Sequence, residues 1–242
     1  MMAAVEAATQ ETCNALVMSG GGTNGAWESG VLWGLLNYGN PDDYKWDVVT
    51  GVSIGSVNSA YLAMYEVGDE KNAVEELYKI WGEITTSDIY KEFPEKYLAP
   101  LTRSSLYDTS PGFSTLRTIL APFSDYKRKM SLSAVDIGSG EIVNMTDANT
   151  KKDNLYQSVI ASASVPGAFP PTVINGLQLV DGMTAYNTNI QEAVDRCLEV
   201  VDDYSKITID VMICDLPSLI SPWTETGNTY DNFMRSREIN GD

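Results

Sequence analysis

Ser53 lies in the pentad 51–55, Gly-Val-Ser-Ile-Gly, a pattern typical of the nucleophile in serine hydrolases. The chain of 242 residues contains no histidine, so the usual Ser-His-Asp relay has no base here. Asp181, which is followed by Gly182 at the end of an apolar run, is the candidate acceptor of the serine proton. These residue types predict a Ser-Asp dyad.

The residues around Ser53 predict the elements that such a nucleophile needs. The run 47–50 is typical of a short buried strand, and a helical stripe of apolar residues follows the serine: Val57, Ala60, Tyr61 and Met64. Gly51 and Gly55 suit a tight turn in which the backbone passes close to the serine. The alternative is an ordinary strand-to-helix turn that contains a serine without a chemical role.

A second glycine cluster, residues 19–25 (Ser-Gly-Gly-Gly-Thr-Asn-Gly), lies between an apolar strand at 15–18 and a second amphipathic helix. We expect that helix to bury one face, formed by Trp27, Val31, Leu32, Leu35 and Leu36. Backbone amides at a helix N-terminus bind negative charge.

Two interpretations of this loop compete. Gly20, Gly22 and Gly25 match the dinucleotide fingerprint, with Asp43 or Asp47 roughly 20 residues further on as the ribose ligand. Alternatively, the loop amides form an oxyanion hole for an acyl carbonyl. The second interpretation is favoured because the next strand ends in the serine pentad, which a dinucleotide site does not need.

Taken together, these motifs resemble those of the patatin-like phospholipases. Residues 19–25 are similar to the oxyanion loop of that family, residues 51–55 to its nucleophile elbow, 161–171 to the stretch before its aspartate, and 181–182 to its Asp-Gly motif. The resemblance implies a three-layer α/β/α sandwich with a mostly parallel central sheet. It also implies a lipid acyl hydrolase that cleaves fatty-acyl esters of phospholipids or related lipids through Ser53 and Asp181. The residues it assigns to the oxyanion hole or to substrate binding are Gly20, Gly21, Gly22, Asn24 and Gly25, and those supporting the motifs are Gly51, Gly55 and Gly182.

Two residues depart from the family pattern. Asn24 stands where the family usually carries an arginine or lysine, and Met183 stands where a small residue is usual after Asp-Gly. These departures leave open a second hypothesis, a weakly active or inactive member that retains a lipid-binding cleft. The remote third hypothesis is the dinucleotide-binding protein.

Composition predicts one globular domain over residues 1–242, with a loose N-terminus at 1–13 and an incomplete final element at 221–242. With 43% apolar and 20% charged residues the chain can bury a core, and its formal charge of -17 opposes nucleic-acid binding. We expect a soluble protein, cytoplasmic or peripheral to membranes, whose partner is a lipid at a membrane interface, with no transmembrane segment, metal or cofactor. Its oligomeric state is left undetermined. Cys13, Cys197 and Cys214 are expected to be core thiols, with one bridge left open.

Overall fold

The computed structural model describes residues 10–95 and 102–214, and a mostly parallel sheet forms their centre. Strands β9, β1, β2 and β5 run parallel in that order, and β5 continues through antiparallel β8 and β7. A further antiparallel strand, β6, also pairs with β5. The sheet strands are β1 (Cys13–Met18), β2 (Val48–Val52), β5 (Lys129–Asp136), β6 (Ile142–Thr146), β7 (Thr172–Ile174), β8 (Leu177–Asp181) and β9 (Ile207–Met212), while β3 (Lys91–Glu92) and β4 (Tyr107–Asp108) form a separate pair.

The pairing register brings the ends of β2 and β8 together. Residues 131–133 of β5 pair with both β2 and β6, whereas Ala134 and Val135 pair with both β6 and β8. A strand has only two edges, so β2 and β8 lie end to end along the same edge of β5. Val52 is opposite Ser133, and Asp181 is opposite the next residue, Ala134. The turn after β2 and the turn after β8 therefore meet at one point.

Helices cover both faces of the sheet, and successive side chains of β1 point alternately into two separate hydrophobic cores. Leu16 and Met18 pack into the larger core, whereas Ala15 and Val17 pack on the opposite face. The helices are α1 (Gly25–Tyr38), α2 (Ile54–Leu62), α3 (Glu70–Glu83), α4 (Thr86–Ile89), α5 (Ser110–Leu120), α6 (Leu155–Ser162) and α7 (Ile190–Cys197). Because α7 contributes Ala193 and Cys197 to the smaller core, the described chain forms the expected three layers.

A disulfide joins Cys13 in β1 to Cys197 in α7. The expectation of core thiols is therefore wrong for these two residues and holds for Cys214, which is a buried free thiol. The two cysteines are 184 positions apart, so their proximity follows from the packing of α7 on β1 and not from any spacing motif.

A buried ion pair links α3 to the start of β5. Arg128 Nη1 donates to Glu70 Oε1 at 2.7 Å and to the Trp46 carbonyl at 2.8 Å, and its other nitrogens donate to the carbonyls of Tyr65 and Glu66. The two charged side chains are 0% and 3% exposed. Arg128 thus satisfies several buried acceptors at once, as a buried cation requires.

Local predictions are confirmed with one clear exception. The pair Asn175-Gly176 is a sequence signal for a two-residue hairpin turn, and it joins two antiparallel strands with both residues at positive φ (52° and 85°). In α1, however, Trp27 is 53% exposed, and the buried face instead contains Gly25, Glu28, Ser29, Leu32 and Leu36. Small and polar residues occupy the buried face of α1 because this helix packs closely on the neighbouring α2 and α3.

The aromatic, apolar and proline residues of the segment 85–112 suit either a cap over an acyl cleft or an irregular packed connection, and the segment contains short elements and packed rings. Tyr90, Tyr107 and Phe169 form a cluster of aromatic side chains with centroids 4.7 to 6.4 Å apart. This cluster favours the packed connection. Residues 96–101 of the segment, and the expected final element at 221–242, lie outside the described residues.

Candidate active site

Ser53 forms the sharp turn between β2 and α2. Its backbone has φ 53° and ψ -123°, a conformation that a side-chain-bearing residue adopts at a cost, and the residue is only 4% exposed. A Cβ on Gly51 would overlap the Gly55 carbonyl, and a Cβ on Gly55 would overlap the carbonyls of Met18 and Ser19. Both glycines are therefore required by close backbone packing, as the pentad predicts.

Ser162, at the end of α6, holds this strained turn. Its Oγ accepts a hydrogen bond from the Ser53 N–H at 3.0 Å and donates to the Ser133 carbonyl at 2.7 Å. Ser162 is fully buried. Sequence reasoning missed its role. Ser162 lies within the block 161–171, but nothing in that pattern indicates that this hydroxyl contacts the elbow.

Asp181 ends β8 and is fully buried. Its Oδ1 accepts from the Met183 N–H at 2.9 Å, and its own N–H donates to the Ser164 carbonyl at 2.9 Å. A Cβ on Gly182 would overlap the Ser133 carbonyl and lie 3.0 Å from Val52 Cγ1. The aspartate turn thus packs directly on the end of β2, beside the same carbonyl that binds Ser162.

Met183 does not crowd this turn, although it is larger than the residue expected there. Its side chain points outward, since the residue is 42% exposed, and its backbone N–H binds the carboxylate. The departure from the small-residue pattern therefore leaves the local geometry of Asp181 intact.

The glycine loop lies against Ser53. A Cβ on Gly20 would come 3.0 Å from Ser53 Cβ, so glycine permits the contact. Asn187 fixes this position: its carbonyl accepts from the Gly20 N–H at 3.2 Å, and its Nδ2 donates to the Gly20 carbonyl at 3.1 Å. Asn187 is a second residue that the sequence analysis missed.

The backbone amides of the loop divide into bonded and available groups. The Ser19 N–H donates to Met212 and the Gly20 N–H to Asn187. No acceptor within residues 10–95 and 102–214 binds the N–H of Gly21 or Gly22. Gly22 has φ 58°, which favours glycine. With respect to these described residues, the two N–H groups are available for an anionic oxygen.

Asn24 connects the loop to the segment after β9. Its Nδ2 donates to the Cys214 carbonyl at 2.7 Å, and a short 3-10 turn (Gly22–Asn24) leads from there into α1. At Gly25, a Cβ would overlap the Ile54 side chain and approach Trp81. The Asn24 amide therefore supports the shape of the loop where the family usually has a cation.

The acidic residues of the dinucleotide interpretation lie far from the glycine loop. Asp47 precedes β2 and accepts a hydrogen bond from the Asn14 N–H at 2.9 Å, at the beginning of β1, and Asp43 ends the short 3-10 turn Pro41–Asp43 before it. The glycine loop follows the opposite end of β1. A ribose contact needs both groups at the carboxyl ends of the strands, so this arrangement does not fit a dinucleotide.

Across the described ranges, no three side chains of His, Cys, Asp or Glu cluster as metal ligands would. Within the same ranges, no helix combines the length and the apolar character needed to cross a bilayer. The site so far consists of a strained serine, a buried aspartate and a loop with available amides.

Several known proteins are similar to this chain in sequence. A model of the patatin-like phospholipase family matches residues 16–194. An uncharacterized protein of Acanthamoeba polyphaga mimivirus is 26% identical over 202 residues, covering 65% of this chain and 51% of that protein. Lysophospholipase NTE1 of Kluyveromyces lactis is 27% identical over 191 residues, covering 77% of this chain and 12% of that protein. The chain therefore spans about half or less of these curated relatives.

Solved structures give more distant similarities. VipD from Legionella pneumophila has 14% identity and a TM-score of 0.46 over 84% of this chain and 50% of its own. ExoU, in complex with SpcU from Pseudomonas aeruginosa, has 16% identity and a TM-score of 0.35 over 67% and 38%. The family match, by contrast, covers the glycine loop, the serine pentad and the Asp-Gly turn in one continuous region. On that match, the chain belongs to the patatin-like phospholipase family.

Proposed function

We propose that this protein hydrolyses fatty-acyl esters of phospholipids or related lipids, with Ser53 as nucleophile and Asp181 as general base. Membership of the family supports a lipid ester hydrolase. The observation that carries the residue assignment is the meeting of β2 and β8 on one edge of β5, which brings the Ser53 and Asp181 turns together. The missing histidine is consistent with a carboxylate base.

In the first step Asp181 accepts the proton of Ser53 as Oγ bonds to the acyl carbon. The carbonyl oxygen becomes anionic, and the N–H groups of Gly21 and Gly22 donate to it. The carbon–oxygen bond to the alcohol then breaks, and the alcohol leaves with the proton held by Asp181. Water, deprotonated by the same carboxylate, attacks the acyl carbon. The bond from that carbon to Ser53 Oγ then breaks, Asp181 returns the proton to Oγ, and the fatty acid is released.

The strained turn contributes to this proposal in two ways. It places the Ser53 side chain at the N-terminus of α2, where the helix dipole favours a developing alkoxide. It also leaves the Ser53 N–H bound to Ser162, so the amide of Ser53 is not an oxyanion donor. The oxyanion hole is therefore proposed to come from the glycine loop.

A weakly active or inactive lipid-binding protein is the second candidate, favoured by Asn24. The family cation is absent, and the Asn24 amide bonds to the Cys214 carbonyl. A binding protein would retain lipid affinity without serine-dependent turnover, so activity measurements separate the two candidates.

The test is hydrolysis of a p-nitrophenyl acyl ester and of phospholipid vesicles, together with labelling by a fluorophosphonate probe. Ser53→Ala is expected to abolish hydrolysis and labelling. Ser59→Ala is the matched control, because Ser59 is buried in the same helix and makes no side-chain hydrogen bond within the described residues. Equal turnover in the parent and Ser53→Ala would exclude Ser53 as the nucleophile.

The base is tested by Asp181→Asn, which keeps the size of the side chain. A loss of about 10⁴ in kcat is expected, by comparison with serine hydrolases whose acid–base relay is broken. Thermal unfolding serves as the control for folding. Retention of more than about a tenth of parental activity would assign the proton transfer to another group.

A further inference from the structure

A buried carboxyl group lies behind the glycine loop and has no part in the steps above. Glu28 is in the first turn of α1, three residues after Gly25, and it is fully buried. Its Oε2 accepts from Asn58 Nδ2 at 2.8 Å. The carboxyl group also lies beside the Cys214 thiol and the Ser19 backbone, and its Oε1 has no well-aligned hydrogen-bond partner among the described residues.

Asn58 connects Glu28 to both parts of the candidate site. It lies in α2, five residues after Ser53, and its Nδ2 also donates to the Gly25 carbonyl at 3.1 Å. Its Oδ1 accepts from Trp81 Nε1 at 2.8 Å, which fixes the orientation of the amide. Glu28 and Asn58 thus hold the end of the glycine loop against the nucleophile helix.

The surroundings of Glu28 favour its neutral form. Burial raises the pKa of Glu28 to about 7, although the Asn58 hydrogen bond opposes the rise. Cys214 is the ionisable group that faces it from the segment after β9, and burial raises the pKa of that thiol to about 12. The groups facing it from α2 and α3, Asn58 and Trp81, do not titrate.

Ionisation would place a negative charge directly behind the loop that is proposed to bind the oxyanion. A like charge in a buried site opposes the developing negative charge of the transition state. It would also add an anion where Asn58 supplies the one well-aligned donor in the described structure. Both effects weaken oxyanion stabilisation at alkaline pH.

We propose that Glu28 is a positioning residue whose neutral carboxyl holds the glycine loop against the nucleophile helix, and that loss of its proton slows the reaction. This inference rests on the proposed function, because it concerns the same oxyanion hole. It predicts an alkaline fall in rate in an enzyme that lacks histidine.

The experiment measures kcat and KM from pH 5.5 to 9 with a p-nitrophenyl butyrate substrate, quantifying the released fatty acid after quenching. In the parent, kcat is expected to fall about tenfold as pH rises through about 7, with little change in KM. Glu28→Gln keeps a neutral acceptor for Asn58 and is expected to lose most of this fall. Glu76→Gln, on the exposed face of α3, is the matched control and should retain the parental profile.

Three outcomes would overturn the inference: an unchanged alkaline fall in Glu28→Gln, a fall confined to KM, or the loss of the fall in Glu76→Gln. If Glu28→Gln does not fold, Glu28→Asp is the deciding variant. Its shorter carboxyl group titrates at a different pH, so the pH at which kcat falls must shift. Absence of Ser53-dependent turnover in the parent would reject the proposed function itself. An unshifted profile in an active, Ser53-dependent enzyme would reject only the role of Glu28.

Discussion

Replacing Ser162 with alanine removes the hydroxyl that joins the nucleophile turn to β5. The Ser53 N–H and the Ser133 carbonyl would each lose a buried partner. A buried backbone group left without its partner costs about 1 to 3 kcal/mol, so with two such groups we expect the free energy of unfolding to fall by about 2 to 6 kcal/mol. One of the two groups that lose their partner is the N–H of the strained nucleophile Ser53. We therefore also expect kcat to fall by at least about tenfold, equivalent to about 1.4 kcal/mol in the activation free energy.

Ser164→Ala provides a matched control two residues away. Ser164 is also buried, and its Oγ makes two contacts, with the Ile160 carbonyl and Thr172 Oγ1, but none with the elbow. Its backbone carbonyl, which binds the Asp181 N–H, is kept in the variant. We therefore expect Ser164→Ala to lower stability with little change in kcat.

The assay combines urea unfolding of both variants with turnover of a soluble ester well below their unfolding transitions. The reasoning is refuted if the two variants lose stability to a similar extent and keep the same kcat. In that case the Ser162 hydroxyl would be a packing group, and the Ser53 backbone would hold its conformation without it.

Two further predictions concern buried charges. Arg128→Met is expected to destabilise the protein by about 3 to 5 kcal/mol, because Glu70 is left buried without its cation, and urea unfolding of this variant and of the double variant with Glu70→Leu measures the effect. Only partial recovery is expected in the double variant, because the carbonyls of Trp46, Tyr65 and Glu66 still lose their donor, and an unchanged midpoint in Arg128→Met would contradict the reasoning. Glu28 has a pKa of 4.5 when unfolded and about 7 when folded, so the folded state binds the extra proton between these values and stability falls as pH rises from 4.5 to 7. At about 1.4 kcal/mol per pH unit this fall in the free energy of unfolding approaches about 3.5 kcal/mol, and it should be missing in Glu28→Gln when unfolding is compared at pH 5, 6, 7 and 8. A parallel pH dependence in both proteins would contradict it.

The sequence predicts the strand, turn and helix at Ser53 because apolar periodicity and glycine are local signals. The hairpin at Asn175 and Gly176 is local in the same sense, and its turn conformation is confirmed. In α1 the same periodicity places Trp27 inside and is wrong. The close approach of neighbouring helices selects small and polar residues for the buried face, and that approach is not encoded in the spacing of α1 alone.

The contacts missed by the sequence analysis are those between distant segments. Ser162 lies 109 residues from the amide it binds, and Asn187 lies 167 residues from Gly20. Serine and asparagine are common polar residues, so their types give no indication of these partners. Glu28 also resembles an ordinary charged residue of a helix until packing shows that it is buried. The meeting of β2 and β8 likewise follows from the register of β5, which no single strand specifies.

The bond between Cys13 and Cys197 closes a covalent ring around the candidate site. The ring includes the glycine loop, Ser53 and Asp181, so cleavage of the backbone at any one place inside it would leave both fragments attached. A protease cut in the segment before β4 would give a single band without reductant and two bands with it. A crosslink between residues 184 positions apart lowers the conformational entropy of the unfolded chain. In the simple loop-closure treatment this raises the free energy of unfolding by about 5 kcal/mol. Disulfides are rare in the cytosol, so the same gel, run on protein taken directly from cells, also tests the expectation of a cytoplasmic or membrane-peripheral location.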